Sequence, residues 1–202
     1  MFAYPSEPPK FPLSLAVAAS HENVWTSDDV TVTTKIVANG QSWHDFKYRI
    51  NGGDFIPLQS DGDLTFSETG EYHLEFFVYN QDNVETKAEV FFKIDKENPV
   101  LSIEESDKYF IFNATDNHSG IGQLFYRLAE EDVFARSKNF GNHLAVALDN
   151  HTIVEPGAND WISIQPGFKL TKPIYGGVYV YELMAVDNVG NTHLIQHIYD
   201  LP

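Results

Sequence analysis

The chain has 202 residues, of which 43% are hydrophobic with 15 Phe and 10 Tyr, enough apolar area for packed cores and too much for wholesale disorder. Its 29 Asp and Glu against 13 Lys and Arg give a formal charge of -16, which repels a phosphate backbone and argues against nucleic acid or an anionic membrane as the main partner. The absence of cysteine excludes a disulfide framework, a thiolate metal site and a Cys nucleophile.

Residues 1 to 11 hold Pro5, Pro8 and Pro9 in a polar context and read as a linker or flexible lead-in. They contain no basic stretch followed by an apolar one, and no apolar run in the chain approaches the roughly 20 residues that span a bilayer. The expectation is a segment of a longer polypeptide whose export signal and anchor lie elsewhere.

From Phe11 onward the hydrophobic period is two, the mark of half-buried strands. Val30, Val32 and Ile36 point one way and Thr31, Thr33 and Lys35 the other. Tyr72, Leu74, Phe76 and Val78 form an inward set against His73 and Glu75, and Ala88, Val90, Phe92 and Ile94 repeat the pattern. Turn formers separate these runs, at Ala38-Asn39-Gly40, Asn51-Gly52-Gly53, Ser60 to Asp63 and Gln81-Asp82-Asn83. Strands are expected near 12–18, 30–37, 45–50, 54–58, 64–66, 72–79 and 86–94, a spacing that suggests a sandwich over residues 12–95.

Asp95-Lys-Glu-Asn-Pro99 is polar and ends in a residue that cannot donate to a sheet ladder, so a domain boundary falls there. Beyond it the rhythm returns, in Phe110, Phe112 and Ala114, in Leu124 to Arg127, and in Tyr179, Tyr181, Leu183 and Ala185. The halves also share short words in the same order. Tyr48-Arg49 matches Tyr126-Arg127, Asp54-Phe55-Ile56 matches Asp160-Trp161-Ile162, Gly70-Glu71-Tyr72 matches Gly177-Val178-Tyr179, and Asp82-Asn83-Val84 matches Asp187-Asn188-Val189. The second copy, 96–202, carries about 27 extra residues between Arg127 and Trp161, giving an insertion over 129–158.

These words resemble the Ig-like repeats of bacterial surface proteins and secreted modular enzymes. In such repeats a Trp precedes a Val-Thr-Val-Thr strand, as Trp25 precedes Val30 to Thr33 here. The run Ala114 to Ile121, the stretch from Gly177 to Asn191 and the link Asp95 to Pro99 match in the same way, whereas Glu85-Thr86 departs from the Gly190-Asn191 of the second copy. The resemblance implies an all-β fold of two tandem immunoglobulin-like or fibronectin-III-like β-sandwiches. It implies an extracellular or cell-surface setting, with other domains of the same polypeptide, or a host or cell-wall glycan or protein, as partners. Tyr72 and Tyr179 are placed to return a hydroxyl to nearby backbone at the start of strand F.

No nucleophile elbow, P-loop, zinc-protease helix or dinucleotide loop is present, and no catalytic residue is assigned. Asp82, Asp116 and Asp187, like Asp61 and Asp63, offer oxygens of the type calcium takes. None follows the twelve-residue calcium loop, and the role first expected of them is to hold their own turns. His193 and His197 would sit about 13 Å apart on a strand, at about 3.3 Å per residue, too far to share a metal. Trp25, Trp43 and Trp161 are expected in or at the edge of cores. The principal expectation is a non-catalytic structural or adhesive module. The alternative is a carbohydrate-binding module using Trp43 and the insertion residues Phe134, Phe140, His143 and His151, with a short helix over Leu128 to Arg136 and a two-residue-turn hairpin over His143 to Val154. The insertion serves equally well as cover for a sheet edge, and a more remote alternative is a hydrolase, which needs two carboxylates converging in a cleft.

Overall fold

The computed structural model describes residues 12–129, 146–147, 153–154, 161–174 and 176–201. Contacts divide the chain into two units, residues 1–96 and 97–202. Both are all-β.

In the first unit, β1 (Ser14–Ala19), β3 (Val30–Val37) and β6 (Asp63–Phe66) form one sheet in the order β1-β3-β6. The other sheet joins β2 (Trp25–Thr26), β8 (Glu85–Ile94), β7 (Gly70–Asn80), β4 (Trp43–Ile50) and β5 (Ile56–Pro57) in the order β2-β8-β7-β4-β5. Only β2 runs parallel to its neighbour. Val30 and Val32 from one sheet and Phe46, Leu74, Phe76, Val78, Phe92 and Ile94 from the other are buried together, which makes the two layers a sandwich. Alternation alone produces this arrangement, because successive side chains leave a strand on opposite faces.

The second unit repeats the plan. Strands β9 (Val100–Glu105), β10 (Tyr109–Thr115) and β15 (Phe168–Thr171) make a sheet in the order β15-β10-β9. Strands β11 (Ile121–Ala129), β14 (Ile162–Ile164), β16 (Gly177–Asp187) and β17 (Thr192–Leu201) make another in the order β14-β11-β16-β17. Phe110, Phe112, Leu124, Tyr126, Leu170, Tyr181 and Leu183 fill the core between them. Both cores close without covalent help, through aromatic contacts such as Tyr48 stacked on Phe76 at 5.6 Å and Tyr126 stacked on Phe168 at 5.4 Å.

Register shows how well the repeated words align. Tyr48 pairs with Ile56 and Tyr126 pairs with Ile162, so the Tyr-Arg and the Phe/Trp-Ile words occupy matching places. Eight positions separate the first pair and thirty-six the second, so the extra chain of the second unit lies between β11 and β14. The Asp-Asn-Val words do not align. Strands β7 and β16 have equal length, and their last residues are Asn80 and Asp187, which makes Asn80 rather than Asp82 the counterpart of Asp187.

Leu128 and Ala129 continue β11 instead of opening a helix, and the rest of the expected helix, residues 130–136, lies outside the described residues. The insertion does form a hairpin, from β12 (Val146–Ala147) and β13 (Ile153–Val154). Ala147 pairs with Ile153, one position off the register that a two-residue turn at Asp149-Asn150 demands, and residues 148–152 lie outside the described residues.

Candidate functional site

Three polar constructions stand out in the two units. The first recurs on the solvent face of each larger sheet. Strand β4 sets Arg49 opposite Glu75 of β7, and the guanidinium grips the carboxylate through Nε at 2.6 Å and a terminal nitrogen at 2.8 Å. The same guanidinium lies 5.5 Å from the ring of Phe55 and 5.6 Å from that of Phe77. Strand β11 sets Arg127 opposite Glu182 of β16, donates from Nε to its carboxylate, and lies 4.6 Å from the Trp161 ring. Gln196 of β17 donates to the other oxygen of Glu182 at 2.7 Å. Each unit thus carries an arginine, a glutamate and an aromatic ring as one assembly. Cross-strand pairing places the first two, and the residue just before the paired edge strand, β5 or β14, supplies the ring.

The two assemblies differ in depth. Side-chain exposure is 8% for Glu182 and 29% for Arg127, against 23% for Glu75 and 32% for Arg49. The Gln196 hydrogen bond and then the Arg127 guanidinium hold the Glu182 carboxyl below the usual glutamate range, while Arg49 does the same for Glu75. Beside the first assembly is a shallow hollow of about 230 Å³ lined by Glu75, Phe77, Lys87 and Glu89 among others. Its carboxylates are already occupied, Glu75 by Arg49 and Glu89 by His73 at 3.0 Å.

The second construction is the end of the second unit where Asp116 and Asp187 meet, with carboxylate oxygens within 4.8 Å of each other. Asp116 Oδ1 accepts the N–H groups of His118 and Gly120 at 3.0 and 2.7 Å. Asp187 Oδ1 accepts those of Val189, Gly190 and Asn191 at 2.9, 2.7 and 2.9 Å, and its Oδ2 accepts the Asn191 amide at 2.7 Å. Two like charges this close need such donors. Space forces one residue choice nearby: a Cβ on Gly122 would meet the Asp187 carbonyl oxygen at 2.7 Å, where the ladder also shifts register between Ile121 and Gln123. In the first unit, uncharged amides do the equivalent work. Asn80 Oδ1 accepts Asp82 and Val84 N–H groups, both at 2.9 Å, and its Nδ2 donates to Gln41.

The third is a set of single turn and corner contacts. Asp61 accepts the Ile36 N–H at 2.9 Å, Asp63 accepts the Thr33 hydroxyl at 2.7 Å, and the Tyr72 hydroxyl donates to the Glu68 carbonyl at 2.9 Å, the corner expected at the start of that strand.

The structure disperses the remaining candidates. Asp82 is exposed in the turn after β7, and its backbone N–H donates to Asn80 Oδ1 in the arrangement above. Trp43 is half-buried, packed against the first core and edge-on to Phe46 at 6.1 Å. Phe134, Phe140, His143 and His151 lie outside the described residues. His193 Nδ1 lies 2.8 Å from the Pro99 carbonyl, and His197 Nε2 lies 3.2 Å from Glu105, so both serve packing of β17 against β9. The Arg-Glu-aromatic assembly escaped sequence reading, although a signal was present: the glutamate stands three residues after the tyrosine near the start of β7 or β16, as Tyr72 to Glu75 and Tyr179 to Glu182.

No protein-family model matches the chain, and no curated protein matches it. Among solved structures it is similar to the fibronectin(III)-like modules of Clostridium thermocellum CbhA, at 8% identity and TM-score 0.33 over 93% of this chain and 94% of that one. It is also similar to murine CEACAM1b, at 13% identity and TM-score 0.30 over 94% and 99%.

Proposed function

We propose that the chain is a non-catalytic structural module of a secreted or cell-surface multidomain protein, serving as a stalk or spacer with a capacity for protein interaction. The observation that carries this reading is what the polar side chains do. The close carboxylates, Asp116 and Asp187, are bound by backbone N–H groups as turn formers, and Glu75 and Glu182 are bound by arginines. A general acid or base needs a carboxylate or imidazole free to reach a substrate proton. Here those groups support the fold, which is what a load-carrying module requires. Two sandwich units that each close their own core suit the same role, because such units transmit position without internal chemistry.

The test is an activity screen of the purified chain against glycan, ester and peptide substrates, with a glycan-binding panel alongside. No turnover above a heat-denatured control is expected. Turnover that disappears on replacing one carboxylate refutes the module reading, and glycan binding lost with Trp43→Ala replaces it with the carbohydrate-binding one.

A further inference from the structure

The outer edge of β17 differs from its counterpart in the first unit. Strands β8 and β17 each follow a turn closed by one bond, from Asn80 N–H to Val84 C=O and from Asp187 N–H to Asn191 C=O. That bond sets the alternation of the whole hairpin, because antiparallel residues exchange both bonds with a neighbour only at every second position. In β8 the residues facing away from β7 are then Glu85, Lys87, Glu89, Phe91 and Lys93. In β17 the residues facing away from β16 are Thr192, Leu194, Gln196, Ile198 and Asp200.

The first of these edges is guarded. Four of its five outward residues are charged, β2 pairs with it at Lys93 and Ile94, and the Asn23 N–H caps the Phe91 carbonyl. Charge and cover are the usual means of preventing edge-to-edge pairing. The second edge carries a single charged outward residue, Asp200, and no cover among the described residues. Its sequence, Thr-His-Leu-Ile-Gln-His-Ile-Tyr-Asp-Leu, contains no Lys, Arg or Pro, its register with β16 is unbroken over ten pairs, and no described strand lies on its far side. Leu194 is 51% exposed and Ile198 is 66% exposed on the same face of the strand.

We propose that this edge is an interaction surface for a second copy of the chain, the two β17 strands pairing antiparallel about Gln196. The occupant follows from self-complementarity. With Gln196 opposite Gln196 of the second copy, Leu194 faces Ile198, Ile198 faces Leu194, and Thr192 faces Asp200. Both exposed apolar side chains gain an apolar partner on their own face, and no charge meets a like charge. The outward N–H and C=O groups of all these residues fall into the bonded positions, so each pair exchanges two hydrogen bonds. A shift of one residue would set outward residues against inward ones and lose both matches. Strand pairing alone covers less than the roughly 1,000 Å² of a standard interface, so the association is weak and reversible.

The experiment is sedimentation velocity of the full chain from about 10 μM to about 1 mM, a range that reveals weak association, together with residue-level hydrogen exchange. Wild type is expected to shift towards dimer as concentration rises, with the amides of Leu194, Gln196 and Ile198 protected only at the high end. The variant L194K/I198K sets lysine against lysine and is expected to weaken association by about 30-fold while melting like wild type, since both sites are exposed. Mixing it with L194E/I198E restores a one-to-one dimer only in the stated register. A wild-type monomer throughout, dimerisation indifferent to the lysines, or the same amides protected at high dilution each overturn the proposal, the last by showing the edge already covered by the chain itself.

Discussion

Replacing Arg127 by Ala tests the repeated arginine-glutamate-aromatic assembly where its energetics are sharpest. The change removes the Arg127 donor from the Glu182 carboxylate, a side chain only 8% exposed, and leaves the Gln196 amide in place. A carboxylate left buried without its counter-charge costs a few kcal/mol, and with the partial exposure of Arg127 the loss is about 3 kcal/mol for the second unit. Arg49→Ala removes the same kind of partner from a more exposed glutamate, which water then solvates, so the loss there is clearly smaller. Urea unfolding read by Trp fluorescence separates the two, because Trp161 reports the second unit and Trp25 and Trp43 the first. Glu182→Gln added to Arg127→Ala should recover part of the loss, since the residual penalty is that of an unpaired charge. Equal losses for Arg49→Ala and Arg127→Ala, or no recovery with Glu182→Gln, would refute the argument from burial. Acid gives an independent check. The Glu182 carboxyl titrates lower folded than unfolded, so its contribution is present above the ordinary glutamate pKa and disappears as pH falls through the folded value.

Alkali should act on the second unit through its buried tyrosines. Burial pushes the Tyr126 phenol up to about 12, and Tyr181 is raised by burial too, so stability is complete below about pH 10 and falls as pH rises towards 12, by about 3 kcal/mol from Tyr126 alone. Denaturant midpoints across that range measure it, and Tyr126→Phe should flatten the slope. At the other end of the unit, Asp187→Asn keeps an oxygen for the three N–H donors and should cost little, whereas Asp187→Ala strands them and should cost about 2 kcal/mol or more. If Asp116 and Asp187 serve as turn formers only, thermal midpoints in millimolar calcium and in chelator coincide; a rise with calcium assigns a cation to the folded state.

How much of this was legible depended on whether an interaction is local in sequence. The alternation of Leu74, Phe76 and Val78, and the tyrosine corner of Tyr72 with Glu68, lie within a few residues and could be read directly. Strand β2 could not, because two residues carry no period and its pairing comes from Lys93 and Ile94, almost seventy positions away. Strand β15 is nearly as short, although Phe168 and Leu170 do alternate with Lys169. The pairing of Asp82-Asn83-Val84 with Asp187-Asn188-Val189 failed for a physical reason. The two words share letters, while the fold matches the acceptor at the strand end that gathers the turn's N–H groups, and Asn80 does that work in the first unit. Arg127 with Glu182 depended on register across a sheet, which one sequence does not state.

The two units therefore share a frame and diverge at its polar positions. Where the first closes the turn after its longest strand with the amides of Asn80 and Gln41, the second uses the carboxylates of Asp187 and Asp116. Where the first lines its outer edge with Glu85, Lys87, Glu89 and Lys93, the second has Thr192, Leu194, Gln196 and Asp200. The cores tolerate this because both kinds of change lie outside the sandwich interior, where Phe76 and Leu183 hold equivalent buried places regardless. Divergence at a loop end and at an edge is what differing contacts would produce, since those are parts of a sandwich that another chain can touch. On that argument, grafting the charged pattern of β8 onto the outward positions of β17 should leave the second unit's stability nearly unchanged while abolishing any association through it.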